Sequence, residues 1–302
     1  MQVRTFPSIK AGSCSADFKN IDLAQRIVVQ EKVDGSQLTV FKKAGALHYY
    51  NKTKEINPQG SLWRNVWLSL HGKEKWFQEG LYYHGEAVRN RLPNVTEYAR
   101  TPRHCWIVYE IARQDGTVLT PEEMAGVLAG PGLETVALIY DSKRDGAPGD
   151  LLALVNRAMD RIDAGGLRSC LGGTPEGIVL KALNVPRQGA TTTTRLKFVR
   201  REFQEVNHQK KKRLPEVGTA EFIRKLGEVF DTDARRHKAI QHLREGGRWK
   251  VAVNQNIGAM VAELDRDLLK EAADEIKAQL FIRFWPEISK AARGDVARFL
   301  AE

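Results

Sequence analysis

The residue with the clearest chemical potential is Lys32, in the run QEKVDGSQLTVF from Gln30 to Phe41. A lysine is almost entirely ammonium near neutral pH and a poor nucleophile in that form. A pocket that partly desolvates it, or sets a metal or a second cation beside it, favours the neutral amine. Lys32-Val33-Asp34-Gly35 alone could equally be a surface hairpin, so its meaning rests on the residues further along the chain. Five stretches carry charge inside otherwise apolar strands: EKVDG (31–35), HGEAV (84–88), VYEIA (108–112), EGIVLK (176–181) and RLKF (195–198). An isolated Glu or Lys in an apolar strand is costly unless it is paired or used, so a series converging on one sheet predicts a polar cleft.

The elements that must hold these charges can be read from hydrophobic period. Ile27, Val28 and Val29 before the lysine, and Leu38, Val40 and Phe41 after it, predict two short strands meeting at a Gly turn. Leu47 to Lys52 reads as a third strand, joined through Ala44-Gly45. Ser61 to Phe77 switches to helical spacing, with Trp63 and Trp67 packing onto a sheet rather than stacking on bases. Leu81–Val88, His104–Ala112, Glu134–Tyr140, Glu176–Leu183 and Thr193–Val199 read as strands. A capping box at Thr120-Pro121-Glu122-Glu123 and a cap at Gly149-Asp150 start two helices, the second running through Ile162. Residues 1–26 read as an irregular lead-in.

The texture changes near residue 208. Asn207 to Arg213, NHQKKKR, followed by Leu214-Pro215, is a basic, breaker-bearing hinge. Beyond it Ala220–Phe230, Arg235–Leu243, Val251–Leu264 and Leu268–Phe284 have helical period, and Pro286 is expected to open a last helix through Leu300. The fold class is therefore α+β: an antiparallel-sheet domain over 1–208, a basic linker over 209–217 and a small all-helical domain over 218–302.

Composition fits a globular chain of 302 residues, 42% hydrophobic and 28% charged, so long disorder is not expected. The net charge of +10 favours a polyanionic partner such as nucleic acid. Cys14, Cys105 and Cys170 are too scattered for a disulfide framework or a zinc site. The opening MQVRTFPSIKAG lacks the apolar core of a signal peptide and no run is long enough to span a bilayer. The expectation is a cytoplasmic monomer with no membrane association.

Together and in this order, the five charged stretches resemble the covalent nucleotidyltransferase superfamily of ATP-dependent DNA ligases, RNA ligases and mRNA capping enzymes. The resemblance implies an antiparallel nucleotidyltransferase domain in which the KxDG lysine takes up a nucleoside monophosphate as a phosphoramidate. Lys32 would attack the α-phosphorus of ATP, and Lys181 and Lys197 would compensate charge on the phosphate oxygens. Lys197 matches the family's final motif, Lys181 ends EGIVLK, and Arg195 sits where related RNA ligases carry a further cation. Glu86 matches the carboxylate that binds the ribose, and Tyr109 the ring that stacks on adenine. Glu110 fills an acidic position of the same motif, and Val179 would be packing. Glu176 matches a carboxylate that helps bind a divalent metal, Mg2+ or Mn2+. Glu31, by backbone or side chain, would face the adenine edge, and Gly35 belongs to the same nucleotide-binding set. Lys52 falls where the family places a basic residue, usually Arg, for a 5′-phosphate; a point charge replaces a fork there.

DNA ligases and capping enzymes usually continue into an OB-fold, whereas the segment after residue 215 reads as helical. That helical tail, with REFQE (201–205) after RLKF, resembles the RNA ligase 2 type. The implied function is an ATP-dependent RNA ligase that seals 3′-OH/5′-phosphate nicks through a lysyl-AMP intermediate, acting on a nicked RNA duplex or an RNA/DNA hybrid. Two alternatives stand beside it: a ligase of the same mechanism acting mainly on DNA or mixed duplexes, and a non-catalytic basic nucleic-acid-binding protein.

Overall fold

A computed structural model describes residues 6–7, 9–12, 15–19, 21–59, 63–88, 96–187, 190–200 and 218–293. The chain divides into two compact units, Met1–Phe203 and Gln204–Glu302. REFQE, the basic run to Arg213 and the 209–217 linker lie outside the described residues.

In chain order the strands of the first unit are β1 (Lys10–Ala11), β2 (Ile27–Lys32), β3 (Ser36–Lys43), β4 (Ala46–Tyr50) and β5 (Leu81–Ala87), then β6 (Trp106–Arg113), β7 (Glu134–Thr135), β8 (Leu138–Asp141), β9 (Gly177–Arg187) and β10 (Ala190–Val199). They form two five-stranded sheets, β1-β10-β9-β2-β8 and β4-β3-β5-β6-β7. All neighbours are antiparallel except β1 with β10 and β6 with β7.

This arrangement corrects two expectations. The strands flanking Lys32 do not form a hairpin: β2 pairs with β8 and β9, while β3 pairs with β4 and β5. A tight reversal needs positive φ at the turn, and none occurs at Val33, Asp34 or Gly35. The reversal comes later, at Ala44 (φ 50°) and Gly45 (φ 80°), which join β3 to β4. Residues 33–35 therefore carry the chain from one sheet to the other. Glu134–Tyr140 likewise splits, because β7 pairs with β6 in the second sheet and β8 with β2 in the first. The charged stretches thus fall on two sheets, not one, and the cleft lies between them.

Helices cover the outer faces. Helix α1 (Arg64–Leu70) and helix α2 (Pro121–Ala129) pack Trp63, Val66, Leu70, Met124 and Leu128 against Leu38, Val40, Tyr83, Trp106, Val108 and Ile111 of the second sheet. Trp63 is fully buried and Trp67 packs against the same cluster, as a structural role requires. The capping box is formed, with Thr120 N–H donating to Glu123 at 2.8 Å. A short turn, α3 (Ser142–Asp145), precedes α4 (Leu151–Asp163), whose cap Asp150 accepts from Leu152 and Ala153. Leu151, Leu154, Val155, Ala158 and Ile162 of α4 bury against Ile27, Val29, Ile178, Leu180 and Leu196 of the first sheet. Each large side chain so buried contributes about 1.5–3 kcal/mol.

The described part of the second unit is helical: α5 (Thr219–Phe230), α6 (Asp233–Glu245), α7 (Ile257–Asp267) and α8 (Ala273–Arg293). Phe222, Leu226, Val229 and Phe230 of α5 pack with Ala272, Ile276, Leu280 and Phe284. The break expected before Leu268 is a π-helical turn, Leu268–Ala272, that continues α7 into α8. Pro286 opens no new helix but lies inside α8. Its missing N–H frees one carbonyl on a helix whose neighbouring Ile282 is 68% exposed, where water can satisfy it.

Candidate active site

Alternation along the first sheet decides which residues enter the cleft. Ile27 and Val29 of β2, Ile178 and Leu180 of β9, and Leu196 and Phe198 of β10 pack toward α4. Successive side chains alternate, so Val28, Gln30 and Lys32, then Gly177, Val179 and Lys181, then Arg195 and Lys197 face the other way. Register lines them into rungs: Val28 opposite Lys181 opposite Arg195, Gln30 opposite Val179 opposite Lys197, and Lys32 opposite Gly177. Lysines 32, 181 and 197 and Arg195 thus share one face.

The second sheet answers with carboxylates. Trp106, Val108 and Ile111 of β6 point into the helix-covered core, while Ile107 and Ala112 belong to clusters on the opposite side. Strict alternation cannot give that pattern. A bulge supplies the change, since His84 pairs with Glu110 but Gly85 with Val108. Consecutive Tyr109 and Glu110 are both re-aimed into the cleft. Gln37, Thr39, His84 and Glu86 join them from β3 and β5, with Gln37 opposite Glu86 and Thr39 opposite His84.

Glu110 ties the sheets together. It pairs with Lys181 at 3.0 Å and takes a two-pronged contact from Arg195, at 2.9 Å to Nε and 2.5 Å to Nη2. Burial pushes the Glu110 carboxyl up, but Lys181 and Arg195 outweigh it and bring it to about 2. Lys181 also donates to the Tyr109 carbonyl at 2.8 Å. Burial, with Glu86 and Glu110 nearby, holds the Tyr109 phenol well above its ordinary value, so the ring stays neutral. Phe6 packs edge-on against Tyr109 at 4.9 Å and lies 5.2 Å from the Arg195 guanidinium. His84 is bound to Thr39 at 2.8 Å and burial lowers it to about 4, leaving it uncharged near neutrality.

Lys32 donates to Glu176 Oε2 from the end of β2. Burial lowers its pKa, yet Glu176, Glu86 and Asp34 together raise it above the ordinary value. The expectation of a pocket favouring the neutral amine is corrected: three carboxylates outweigh desolvation and keep the ammonium. Burial in turn raises Glu176, against Lys32 and Lys197. Gly35 is required sterically, because a Cβ there would stand 2.7 Å from the Ala87 carbonyl at the end of β5.

Two sequence candidates sit apart from this cluster. Glu31 is on the α4-facing side of β2, its carboxylate accepting from the Cys170 amide at 3.0 Å and its own N–H bonded to Ala137. Gln30 takes the cleft-facing place beside it. Lys52 is exposed on a turn held by Asn51 Oδ1, and makes no hydrogen bond or ion pair among the described residues. Tyr98, whose hydroxyl oxygen accepts from the Asp34 amide at 2.7 Å, carries no mark in its local sequence.

No group of three or more His, Cys, Asp or Glu able to hold a metal occurs among the described residues. Magnesium and manganese do not need such a cage; they bind through one or two carboxylates plus substrate phosphates. The oxygen donors gathered at Lys32 suit that mode, with Glu176 foremost. No helix among the described residues is long and apolar enough to cross a membrane.

Several known proteins resemble this chain. Among solved structures, it is similar to a Naegleria gruberi RNA ligase with PPi, at 16% identity and a TM-score of 0.42, covering 58% of this chain and 49% of that one. A mutant of the Naegleria enzyme with ATP and Mn gives 14% identity, a TM-score of 0.48, and coverage of 67% and 57%. An archaeal ATP-dependent RNA ligase gives 15% identity, a TM-score of 0.47, and coverage of 93% and 74%. The chain thus spans about half the length of the Naegleria proteins. No curated protein matches it. A family model described as RNA ligase matches residues 25–199, more than half of the chain and all five charged stretches, and on that match this protein belongs to the RNA ligase family.

Proposed function

We propose that the protein is an ATP-dependent polynucleotide ligase, an RNA ligase that seals 3′-OH/5′-phosphate nicks in duplexes through a lysyl-AMP intermediate. The observation that carries this reading is the placement of Lys32 against Glu176 where the chain crosses between sheets, with Lys181, Arg195 and Lys197 on the same face. In the first step Lys32 Nζ forms a bond to the α-phosphorus of ATP as the bond to pyrophosphate breaks. Nζ must first give up a proton, and Glu176 is the carboxylate in contact with it. Lys181 and Lys197 would meet the charge gathering on the phosphate oxygens, with Arg195 a further cation beside them, and Tyr109 would stack on the base. In the second step an oxygen of a polynucleotide 5′-phosphate displaces Lys32 and takes the AMP. In the third, a 3′-hydroxyl attacks that activated phosphate, loses its proton and releases AMP.

Glu176 would hold a magnesium or manganese ion, which when bound neutralises phosphate charge. Glu86 would bind the ribose, Glu31 and Gly35 would border the nucleotide, and Lys52 would meet the 5′-phosphate of the acceptor strand. RNA, as a nicked duplex or paired with DNA, is the proposed partner of a cytoplasmic monomer, in keeping with the net charge of +10.

Incubation with α-labelled ATP and magnesium, then denaturation in hot detergent, tests the proposal. Label should stay on the wild-type chain and vanish in Lys32→Ala; an unlabelled wild type, with either metal, would reject the enzyme. Sealing of nicks with ribose or deoxyribose at the 3′-hydroxyl then separates RNA from DNA as the working strand, because a site that senses the 2′-hydroxyl favours the former.

A further inference from the structure

Lys32 lies between two residues that are each bonded to a separate loop, and the two loops are bonded to each other. On one side, Glu31 accepts the amide hydrogen of Cys170 at 3.0 Å. On the other, the Asp34 amide donates to the Tyr98 hydroxyl oxygen at 2.7 Å, and the Asp34 carboxylate accepts from the Thr96 amide at 3.1 Å. The loops meet where Arg100 donates from its backbone to Leu171 at 3.1 Å and from its guanidinium to the Cys170 carbonyl at 2.9 Å. Their approach is close enough to need glycine. Gly172 (φ 77°) and Gly173 (φ 83°) take a left-handed backbone, and a Cβ on them would stand 2.6 Å from Ala99 Cβ and 2.7 Å from the Glu97 carbonyl. The Tyr98 ring packs with Val33, Val88, Ile107, Val136 and Leu171, so the hydroxyl is delivered by a rigid apolar cluster.

We propose that Tyr98 is a positioning residue for Lys32, fixing the sheet-to-sheet crossing through the Asp34 amide so that the lysine meets its target in line. The proposal rests on the adenylylation reading above. A crossing without regular pairing needs such a brace, because residues 33–35 belong to neither sheet. Burial, with Asp34, Glu176 and Glu31 nearby, holds the Tyr98 phenol protonated, so it accepts the amide bond as a neutral hydroxyl. Tyr98 touches no reacting atom in this scheme. Its effect falls on the step in which Lys32 is the nucleophile, and not on the closing step, in which a 3′-hydroxyl attacks an end already activated.

That division supplies the test. Tyr98→Phe keeps the ring and removes the hydroxyl. Single-turnover labelling from ATP should slow about tenfold to a hundredfold, the loss expected of a small misplacement, with KM for ATP changed less than about twofold. Sealing of a nick whose 5′ end carries AMP in advance should remain near the wild-type rate. Arg100→Gln, which loosens the same circuit from a half-exposed position, should show the same pattern more weakly, and decides the question if Tyr98→Phe does not fold. Labelling at the wild-type rate, or equal loss in both reactions, overturns the positioning role. A wild-type protein that takes no label from ATP instead brings down the adenylylation reading on which it stands.

Discussion

The Lys32–Glu176 contact is the clearest case of residue chemistry that composition could not foretell. A pocket around a lysine suggests a depressed pKa, whereas here the carboxylates of Glu176, Glu86 and Asp34 raise it. Removing one of them must lower it. In Glu176→Gln without nucleotide, the pH profile of Lys32 modification by an amine-selective reagent, followed by peptide mass, should move to lower pH. The sign follows because the neutral amine reacts, and fewer negative neighbours release its proton sooner; an unmoved or upward-shifted profile contradicts the assigned contact. Glu86, Glu110, Lys181, Arg195 and Lys197 were legible because charge inside apolar strands stands out. Gln30, His84 and Tyr98 were not: a neutral polar residue in a strand gives no such signal, and the Tyr98–Asp34 bond spans residues far apart in sequence.

At the scale of elements, period revealed strands but not their partners. The residues flanking Lys32 read correctly as two strands, yet period 2 looks the same in a hairpin and in a crossing between sheets. The bulge at Tyr109 was equally hidden, since it shows only against the register of β5 with β6. Gly35 is where this geometry can be tested by a single methyl. Gly35→Ala sets a Cβ against the Ala87 carbonyl, which is backbone and cannot rotate away. The expected cost is about 1–3 kcal/mol in stability, with a larger proportional loss of labelling from ATP because the crossing carries Lys32. Equal melting temperature and equal labelling would show that the crossing does not approach β5 as described. Capping signals fared better, Thr120 and Asp150 each starting the helix expected of it, because a cap is a local bond that needs no distant partner.

For the whole molecule, the sequence marked a change of texture near residue 208, and the structure divides into Met1–Phe203 and Gln204–Glu302. All five charged stretches lie within the first unit. A fragment ending near residue 208 should therefore take label from ATP at close to the rate of the full chain and seal nicks poorly. A fragment that seals as well as the intact protein would show that sealing does not draw on the helical unit. The proposed chemistry depends above all on where the nucleotide becomes attached. Peptide mapping by mass after incubation of the full chain with ATP and magnesium answers that directly, because a phosphoramidate is cleaved by acid and withstands alkali. One adenylate is predicted on the peptide bearing Lys32, lost on acid treatment; an adduct on any other residue, or none, would contradict the central claim.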